Sequence, residues 1–551
     1  MFCAWSPRAA VRDGVNLRTN ETHRWMLYLL VFASGMCTLA IEITASRLLG
    51  YVFGTSNPVW ASILGLTLVY LTAGYFLGGR WSDRAPHLSI LYQIVAWGAF
   101  AGGLMPIIAR PLLGSAGSAM VAFRAGAAVG GFVVVMVLFA VPVTLLGCVS
   151  PFAIRLALRD VAAAGNTAGR MYAISTLGSI VGTFVPALYT IPELGTTTTF
   201  FIFSMLLLLI ALLGLTLHNR GAALRLAWMP ILLTALTALL LNGPLRPPPN
   251  GTTLLYEKES AYNYIQVVEY KERDGTRTRL LYLNEGQGIH SQWNEKALFY
   301  NRTWDYFMAG SFFNAPPFDG KSIKQVALIG LAAGTIARQY TAAFGPVAID
   351  GYEIDPAIVT AGQRYFEMTE PNLNVVVEDG RLAFKATDKR YDVVGLDAYR
   401  VPYVPWNLTT VEFFEEVRAH LAPQGVVISN VGRTYNATTK REDRRLVEAI
   451  TNTLSHVFAD VYTIDVPGSF NTVLVATNAK TTGANLAVNF AALPADTHPA
   501  VRAVLQGALA NLKTTVRSEV LFTDDRAPVE TIVDSMVIDF LTDGGTGQFT
   551  K

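Results

Sequence analysis

The first 242 residues of the chain contain a series of apolar runs that are long enough to cross a lipid bilayer. A bilayer core of roughly 30 Å requires about 20 apolar residues in helical form. We count seven such runs, at residues 27–49, 57–79, 88–109, 127–148, 171–191, 198–217 and 226–242. The sequence therefore predicts an α-helical membrane bundle of about seven spans over residues 25–243, surrounded by the lipid bilayer.

The composition fits a membrane segment joined to a soluble one. Of the 551 residues, 52% are hydrophobic and 15% are charged, and the first lysine is Lys258. A net charge of +2 gives no bulk attraction to nucleic acid, so no nucleic-acid partner is expected. The three cysteines all precede residue 149, and two lie in apolar runs, which argues against a disulfide framework or a metal site.

The distribution of arginines predicts how the bundle is oriented. Segments on the side of the N-terminus hold eleven arginines, and segments on the opposite side hold four. Positive residues accumulate on the cytoplasmic side, so residues 1–24 are expected in the cytoplasm. With seven spans, the C-terminal half of the chain would then lie outside the cytoplasm.

Two features inside the apolar runs bear on the bundle itself. The spacings Gly74–Gly78 and Gly178–Gly182 predict close helix packing. Glu42 is an acid inside a span, where charge is costly. It either pairs with an arginine such as Arg47 to fix the bundle, or it serves a substrate or a proton.

The proline-rich stretch 244–253 cannot continue a helix and predicts a linker between two domains. Residues 254–290 contain two or three strand-like stretches, which suggests a small antiparallel β-sheet. From Gln325 onward, residues of the last segment, 291–551, alternate between strand and helix patterns. The final two strands, "DVYTIDV" and "NTVLVAT", have only "PGSF" between them and predict a closing hairpin.

A tight turn, a following acid and a further acid recur along this second half. They lie in "QVALIGLAAGTIARQY", "IDGYEIDPAIV", "NVVVEDGRLAF" and "YDVVGLDAYR". A doubly wound sheet arranges a nucleoside pocket along the carboxyl ends of its strands in this way. Gly330 and Gly334 would let the backbone approach such a ligand, and a dehydrogenase would be expected to carry a tighter G-x-G-x-x-G.

These motifs, with "ESAYNYIQV", "TDDRAPVE" and the N-terminal "SGMCTLAIEITASRLLGYVFGTS", resemble the bacterial membrane-fused spermidine synthases over nearly the whole chain. The resemblance implies a Rossmann-like domain of the spermidine-synthase and methyltransferase type. It implies aminopropyl transfer from a decarboxylated adenosylmethionine-type nucleoside, used as a co-substrate with no tightly bound cofactor. It also implies an amine acceptor and allows a homodimer.

The resemblance assigns roles to individual residues. Glu353 corresponds to the ribose-binding acid, Asp379 and Gly380 to the adenine contact, and Asp397 to the general base. Tyr262 matches part of a Tyr-Gln pair, and Glu285 and Gln287 lie where a Leu-Asp-Gly motif is found in the soluble enzymes. Each acid also has a simpler explanation as a helix cap or a turn residue.

The sequence departs from the soluble enzymes at two acids that contact amines. Ala333 replaces the acid inside the glycine turn, and Arg400 replaces the acid three residues after the base. An arginine suits a carboxylate better than a diamine.

Three further candidates could rebuild the site. His290 is a possible catalytic group, Tyr399 lies in an aromatic loop beside the base, and Asp525 could fold back over the cleft. With these the sequence leaves three functions open. They are a membrane-anchored aminopropyltransferase, an extracytoplasmic amine-directed transferase or cyclase that acts on a peptide N-terminus or amino acid without adenosylmethionine, and a non-enzymatic ligand sensor.

Overall fold

The computed structural model describes residues 21–53, 57–123, 127–158, 160–284, 286, 288–399, 404–436 and 440–542. The chain divides into two compact units, and the division after the bundle falls between Arg246 and Pro247. The first unit is helical, and the second combines two β-sheets with helices.

The helices of the first unit follow the apolar runs of the sequence. They are α1 (Glu21–Phe53), α2 (Asn57–Arg84), α3 (Leu88–Phe123), α4 (Ala127–Gly147), α5 (Val149–Ala157), α6 (Ala164–Val185), α7 (Ile191–His218), α8 (Arg220–Leu226) and α9 (Trp228–Leu241). Within the described residues, six helical segments are long and apolar enough to cross a membrane, where the sequence predicts seven.

The difference arises in one continuous segment, Val161–His218, which covers two of the predicted runs. A π-helical turn, Pro186–Thr190, joins α6 to α7, so the helical pattern is not interrupted there. Gly195, however, has φ 81° and ψ 169°, which is outside the helical region and marks a sharp kink. One long segment therefore contains two helices that need not run in the same direction.

Contacts with neighbouring helices give the direction of each. Gly178 and Gly182 of α6 meet the backbone of Phe32 and Met36, so α6 runs parallel to α1. Helix α7 runs opposite to α3, because the Gly214 end of α7 lies at Tyr92 and its Ser204 lies near Gly103. Helix α9 runs parallel to α3, since Gly103 lies against Leu233 and, seven residues further along both helices, the guanidinium of Arg110 donates to the carbonyl of Leu240 at 3.2 Å.

Glycines bring the helices of the bundle into backbone contact, as the spacings predict. A Cβ at Gly182 would overlap the carbonyl oxygen of Met36, and one at Gly74 would overlap that of Thr144. A Cβ at Gly78 would lie 2.5 Å from the carbonyl oxygen of Cys148. Such close approaches let backbone and small side chains supply the packing energy between apolar helices in lipid.

The second unit begins with a four-stranded antiparallel sheet in the order β1-β2-β3-β4, where the sequence suggested two or three strands. Its strands are β1 (Thr253–Glu259), β2 (Tyr264–Lys271), β3 (Arg277–Leu283) and β4 (Ile289–Asn294). Strand β4 was not recognised, because "IHSQWN" has no regular alternation of apolar and polar residues.

The rest of the unit contains an eight-stranded mixed sheet in the order β14-β12-β13-β9-β8-β5-β6-β7. Its strands are β5 (Gln325–Ile329), β6 (Ala348–Glu353), β7 (Leu373–Val377), β8 (Tyr391–Leu396), β9 (Leu421–Gly432), β12 (Asp460–Asp465), β13 (Asn471–Thr477) and β14 (Leu512–Lys513). A separate hairpin joins β10 (Thr434–Asn436) to β11 (Arg441–Asp443).

Helices cover the sheet between and after these strands. They are α10 (Thr303–Tyr306), α11 (Thr335–Phe344), α12 (Pro356–Tyr365), α13 (Gly380–Lys385), α14 (Val411–Ala419), α15 (Arg445–Val457), α16 (Ala484–Ala491), α17 (Pro499–Asn511) and α18 (Val529–Thr542). Strands β5 to β9 are parallel, and β12 and β13 form the predicted antiparallel hairpin.

The mixed sheet is buried on both faces. Val326 and Leu328 of β5 belong to one hydrophobic cluster, and Ala327 and Ile329 belong to the cluster on the other face. The order of strands reverses at β5, which lies between β6 and β8. Ligands of doubly wound sheets bind outside the carboxyl ends of the strands at such a reversal, so the candidate site is expected after β5, β6 and β8.

Candidate active site

The glycine turn, which we define as Gly330–Gly334, follows β5 directly and brings two strand ends together. Gly330 has φ 92°, a backbone conformation that glycine tolerates best. A Cβ there would collide with the backbone of Asp397 and Ala398 at the end of β8. The small residue therefore allows the predicted base to lie against the turn.

Every backbone amide of the glycine turn already has an acceptor within the protein. The amides of Gly330 and Leu331 donate to the carbonyl of Tyr352, both at 3.0 Å, and that of Gly334 donates to the Leu331 carbonyl at 3.0 Å. Ala332 donates to the Glu353 carboxylate at 2.9 Å, and Ala333 donates to Ser291 Oγ at 3.0 Å. The turn is thus not a phosphate cradle, which needs free amides. It can form a wall for a ligand without phosphates.

Glu353 ends β6 and faces the glycine turn. Its Oε2 accepts from Ala332, and its Oε1 accepts from the amide of Asp355 at 3.1 Å. Burial raises the pKa of Glu353 to about 7, although these backbone donors favour the ionised form. A carboxyl group fixed in this way still has lone pairs for two hydroxyl donors, which suits the predicted contact with a ribose.

Asp379 and Gly380 begin α13 near the same strand ends. The Oδ1 of Asp379 accepts from the amides of Arg381 and Leu382, at 3.1 and 3.0 Å, as a helix cap does. Gly380 packs on Ile329, and a Cβ there would lie 2.7 Å from its Cγ2. The predicted adenine contact by these two residues stays a prediction.

Asp397 follows β8 and lies against Gly330 of the glycine turn. Its amide donates to the carbonyl of Ile329 at 2.9 Å, and its Oδ1 accepts from the side-chain amide of Asn430 on β9 at 2.9 Å. Burial raises the pKa of Asp397 to about 7, while hydrogen bonding by Asn430 and Trp304 acts in the opposite direction. A carboxylate whose pKa is close to neutral can accept a proton and release it again.

Asn430 and Trp304 are functional candidates that sequence reasoning missed. Asn430 is a polar residue inside the apolar stretch "GVVISNV", and this interruption was the available signal. Trp304 lies on the short helix α10, and nothing in "NRTWDYFMAG" marks it. Both reach Asp397 from segments distant in sequence, so only the fold brings them there.

Tyr399 lies two residues after Asp397 and contacts the end of β9. Its hydroxyl lies so close to Gly432 that a Cβ there would overlap it. Burial raises the pKa of Tyr399 well above its usual range, so the phenol stays protonated at neutral pH.

Strand β4 of the small sheet contacts the glycine turn and the start of α11. Ser291 accepts the amide of Ala333, while Thr335 exchanges hydrogen bonds with the backbone of Gln292, both at 3.2 Å. His290 is the neighbour of Ser291 on this strand. Burial lowers the pKa of His290 to about 4, so its imidazole is neutral at pH 7 and can accept or donate one hydrogen bond.

Ala333, for which the resemblance implies an acid in the soluble enzymes, lies in a hydrophobic core. Ala333 is 1% exposed and packs in one cluster with Ile265, Val267 and Trp293 of the small sheet. A carboxylate at this position would lose its solvation without a charged partner. The apolar residues around position 333 are therefore compatible with alanine and would not stabilise an acid.

A buried acid, Asp355, connects the small sheet to the turn after β6. It is fully buried and accepts hydrogen bonds from Ser260 Oγ at 2.5 Å and from Asn263 Nδ2 at 3.0 Å. Asn263 follows Tyr262, whose side chain is exposed. The neighbour of the predicted substrate residue Tyr262 is thus engaged in holding the loop, while the tyrosine ring is accessible.

Several predicted site residues stay untested. Arg400, Glu285 and Gln287 lie outside the described residues. Asp525 is exposed, while its neighbour Asp524 forms a bidentate pair with Arg381, with both N–O distances at 2.8 Å. Among the residues that the structure describes, no group of three or more His, Cys, Asp or Glu side chains could hold a metal ion.

Apolar side chains are exposed around the ends of β6 and β7. Ile354 and Val377 follow or end these strands, and Leu382 of α13 is 63% exposed. An exposed apolar cluster beside a buried carboxyl is typical of a ligand cleft.

Part of the second unit is similar to known proteins. Residues 312–489 match the family model described as the spermine/spermidine synthase domain. A probable polyamine aminopropyl transferase of Bifidobacterium longum is 31% identical over 231 residues, which is 41% of this chain and 47% of that protein. A polyamine aminopropyltransferase of Vibrio vulnificus is 27% identical over 39% of this chain and 69% of that protein.

Among solved structures, a probable spermidine synthase from Corynebacterium glutamicum is similar over 50% of this chain and 98% of that chain. The sequence identity is 21% and the TM-score is 0.36. The chain spans about half the length of the first curated relative that it matches.

Proposed function

Because the chain carries a spermine/spermidine synthase domain, we propose that it is a membrane-anchored transferase acting on an amine. The transferred group is an aminopropyl or related group, and the donor is an adenosylmethionine-type nucleoside that binds as a co-substrate. The observation that carries this proposal is the position of Asp397, a carboxyl with a raised pKa that Asn430 orients beside the glycine turn.

The reaction requires one proton acceptor and one carbon electrophile. The neutral amine nitrogen attacks the methylene carbon bound to the sulfonium, so a C–N bond forms and the C–S bond breaks. The bonding pair stays on sulfur, which leaves as a neutral thioether nucleoside. Asp397 accepts the proton that the nitrogen loses, and Asn430 keeps its carboxylate oriented during the transfer.

The nucleoside pocket proposed for this donor uses the ends of β5 and β6. Glu353 would accept the ribose hydroxyls, and the exposed Ile354 and Leu382 would contact the base. The glycine turn, with its amides engaged, supports a ligand that carries a sulfonium instead of phosphates.

Asp397→Asn tests this proposal in the purified full-length protein. We expect turnover with decarboxylated adenosylmethionine and a diamine to fall by about 10²–10⁴, because the amide cannot accept the proton. Binding of methylthioadenosine, measured by calorimetry, should be retained. Asp392→Asn is the matched control, since Asp392 lies on β8 and its carboxylate accepts from the backbone of Lys324 and Gln325. Near-normal turnover of Asp397→Asn would remove Asp397 from the mechanism.

The directions of the helices in the bundle favour a second candidate function. Helix α3 runs parallel to α1, because Gly102 packs on Ile41 while Arg110 and Tyr51, further along these helices, contact Pro244 and Arg246 of one short segment. Helices α6 and α7 therefore run in opposite directions, and we propose that their segment crosses the membrane twice and that the bundle has seven spans. Arg246, at the end of the bundle, donates to the carbonyl of Tyr51 at the end of α1, at 3.2 Å. The linker would then leave on the side opposite to the N-terminus, outside the cytoplasm.

An enzyme on that side would act on an amine without adenosylmethionine, which is a cytosolic metabolite. Its acceptor could be a peptide N-terminus or an amino acid, through transfer or cyclisation. Phosphatase and fluorescent-protein fusions after Lys551 distinguish the two functions. A periplasmic-type signal, from the phosphatase alone, supports the second function, and fluorescence alone supports the first.

A further inference from the structure

The helical bundle contains a cavity of about 90 Å³ between α1, α2, α6 and the junction of α4 with α5. Hydroxyl groups dominate its polar lining: Ser34, Thr38, Tyr75, Ser150, Ser175 and Ser179. Among the described residues that line it, none carries a charge. At about 30 Å³ for a liquid water, the space suits a small ligand or a few waters.

The cavity presents hydrogen-bond acceptors. The hydroxyl of Thr38 donates to the carbonyl of Ser34 at 2.8 Å, and that of Ser179 donates to the carbonyl of Gly35 at 3.2 Å. Since the proton of each hydroxyl is used in this way, its lone pairs remain for another donor or for a cation. Oxygens arranged as acceptors repel an anion and attract a positive charge.

The helical hydrogen-bond pattern shifts at the same place. Helix α4 ends at Gly147 and α5 begins at Val149, and both residues line the cavity. The amide of Cys148 donates to the carbonyl of Leu145 at 3.2 Å, three residues back instead of four. Cys148 itself keeps helical dihedral angles, φ −64° and ψ −19°, so the change is one of hydrogen bonding within a continuous helical segment.

The surrounding packing keeps this space open. A Cβ added at Gly147 would lie 3.0 Å from the carbonyl oxygen of Leu71, and one at Gly35 would overlap that of Ser175. The helices therefore already touch through their backbones and cannot move closer to close the cavity. Glu42 lies four residues after Thr38, on the same side of α1, so its carboxyl group is one helical turn away.

We propose that this cavity binds a small monovalent cation through hydroxyl and carbonyl oxygens. The cation is either an alkali-metal ion or the ammonium group of a small amine, which share this chemistry. Oxygen ligands without a carboxylate in the lining suit a single charge better than a divalent ion, for which carboxylates are the usual ligands.

Thermal unfolding of the full-length protein in detergent tests the proposal at constant ionic strength. Sodium, potassium or methylammonium chloride replaces choline chloride, whose methyl groups keep its charge away from oxygen ligands. A bound cation raises the unfolding midpoint as its concentration increases, because it binds the folded state alone. We expect Thr38→Val, which removes one oxygen, to abolish or strongly reduce this shift.

Thr44→Val is the matched control, because Thr44 is a buried α1 threonine whose hydroxyl donates to Ala40 in the same way. It should retain the full shift. If Thr38→Val does not fold, Ser179→Ala provides the same test. An alkali-metal response identifies an inorganic ion, and a response to methylammonium alone identifies an amine. Equal midpoints in all four salts, or an unchanged shift in both Thr38→Val and Ser179→Ala, would overturn the proposal.

Discussion

The bundle and the mixed α/β sheet of the second unit satisfy their polar side chains in different ways. Hydroxyls of the bundle mostly donate to a carbonyl in their own helix, as Thr38 and Thr44 do four residues back. In the second unit, polar bonds join distant segments: Arg381 binds Asp524, 143 residues away, and Ser260 binds Asp355, 95 residues away.

The difference shows which contacts fix the arrangement of each unit. Helices of the bundle recognise one another through shape, because glycines such as Gly178 and Gly182 admit a neighbouring backbone. The candidate site depends instead on long-range hydrogen bonds that hold loops from different parts of the chain. Substitutions should therefore act through steric overlap in the bundle and through lost bonds in the second unit.

The largest effect on stability is expected at a glycine contact of the bundle. A Cβ in Gly182→Ala would overlap the carbonyl of Met36, so we expect a loss of about 3 kcal/mol of unfolding free energy. Gly169→Ala on the same helix has open space and should gain up to about 1 kcal/mol from helix propensity. Thermal unfolding in detergent measures both. Equal effects of the two variants would show that backbone contact does not hold α6 to α1.

The next effect concerns the long-range bonds of the second unit. Arg381 is 16% exposed in its side chain and pairs with Glu416 and Asp524. Arg381→Ala leaves Glu416 with Lys385 as its one cation and Asp524 with the hydroxyl of Thr410 alone. We expect a loss of about 2 kcal/mol, less than for a fully buried pair. Nucleoside binding should also weaken, because Arg381 follows the Asp379 cap.

Arg445→Ala is the control for this change. Arg445 is 44% exposed and pairs with Asp443 and Asp539 at the surface, so its removal should cost less than about 1 kcal/mol. Chemical denaturation of both variants gives the comparison. If Arg445→Ala lowered the free energy of unfolding as much as Arg381→Ala, the distinction between the buried and the exposed ion pairs would be contradicted.

The smallest effect is a pH dependence of ligand binding. Ribose hydroxyls donate to an ionised carboxylate, and the pKa of Glu353 is raised to about 7. Affinity for methylthioadenosine should therefore rise with pH, about tenfold per unit below 7, and become constant above it. Calorimetry at several pH values measures this. Glu353→Gln should lose the dependence while Asp397→Asn keeps it, and a flat profile in the unaltered protein would exclude Glu353 from the ribose contact.

The alternation of strands and helices could be predicted from the sequence, because the parallel strands are short apolar runs that end in small or acidic residues. Asp397 was found in this way at the end of β8, and the mixed sheet with its closing hairpin followed from the same pattern. The glycine spacings of the bundle also predicted real contacts.

The surroundings of these residues could not be predicted. Asn430 and Trp304 reach Asp397 from other segments, and the capping bonds of Asp379 depend on where α13 begins. The number of helical segments differed because the π-helical turn Pro186–Thr190 continues α6 into α7, although "PELGTT" separates the two predicted runs. The backbone of Gly195 alone leaves the helical region within α7. In each case the deciding contact is three-dimensional.

The engaged amides of the glycine turn have a consequence for competition in the cell. Adenosine phosphates contain the same ribose and base as the proposed donor. A pocket that bound phosphate well would therefore be occupied by them. Because the amides of the turn are already engaged, they cannot donate hydrogen bonds to a phosphate that has lost its hydration on binding. The cleft would thus remain available to a scarcer nucleoside without any residue dedicated to rejecting the abundant ones.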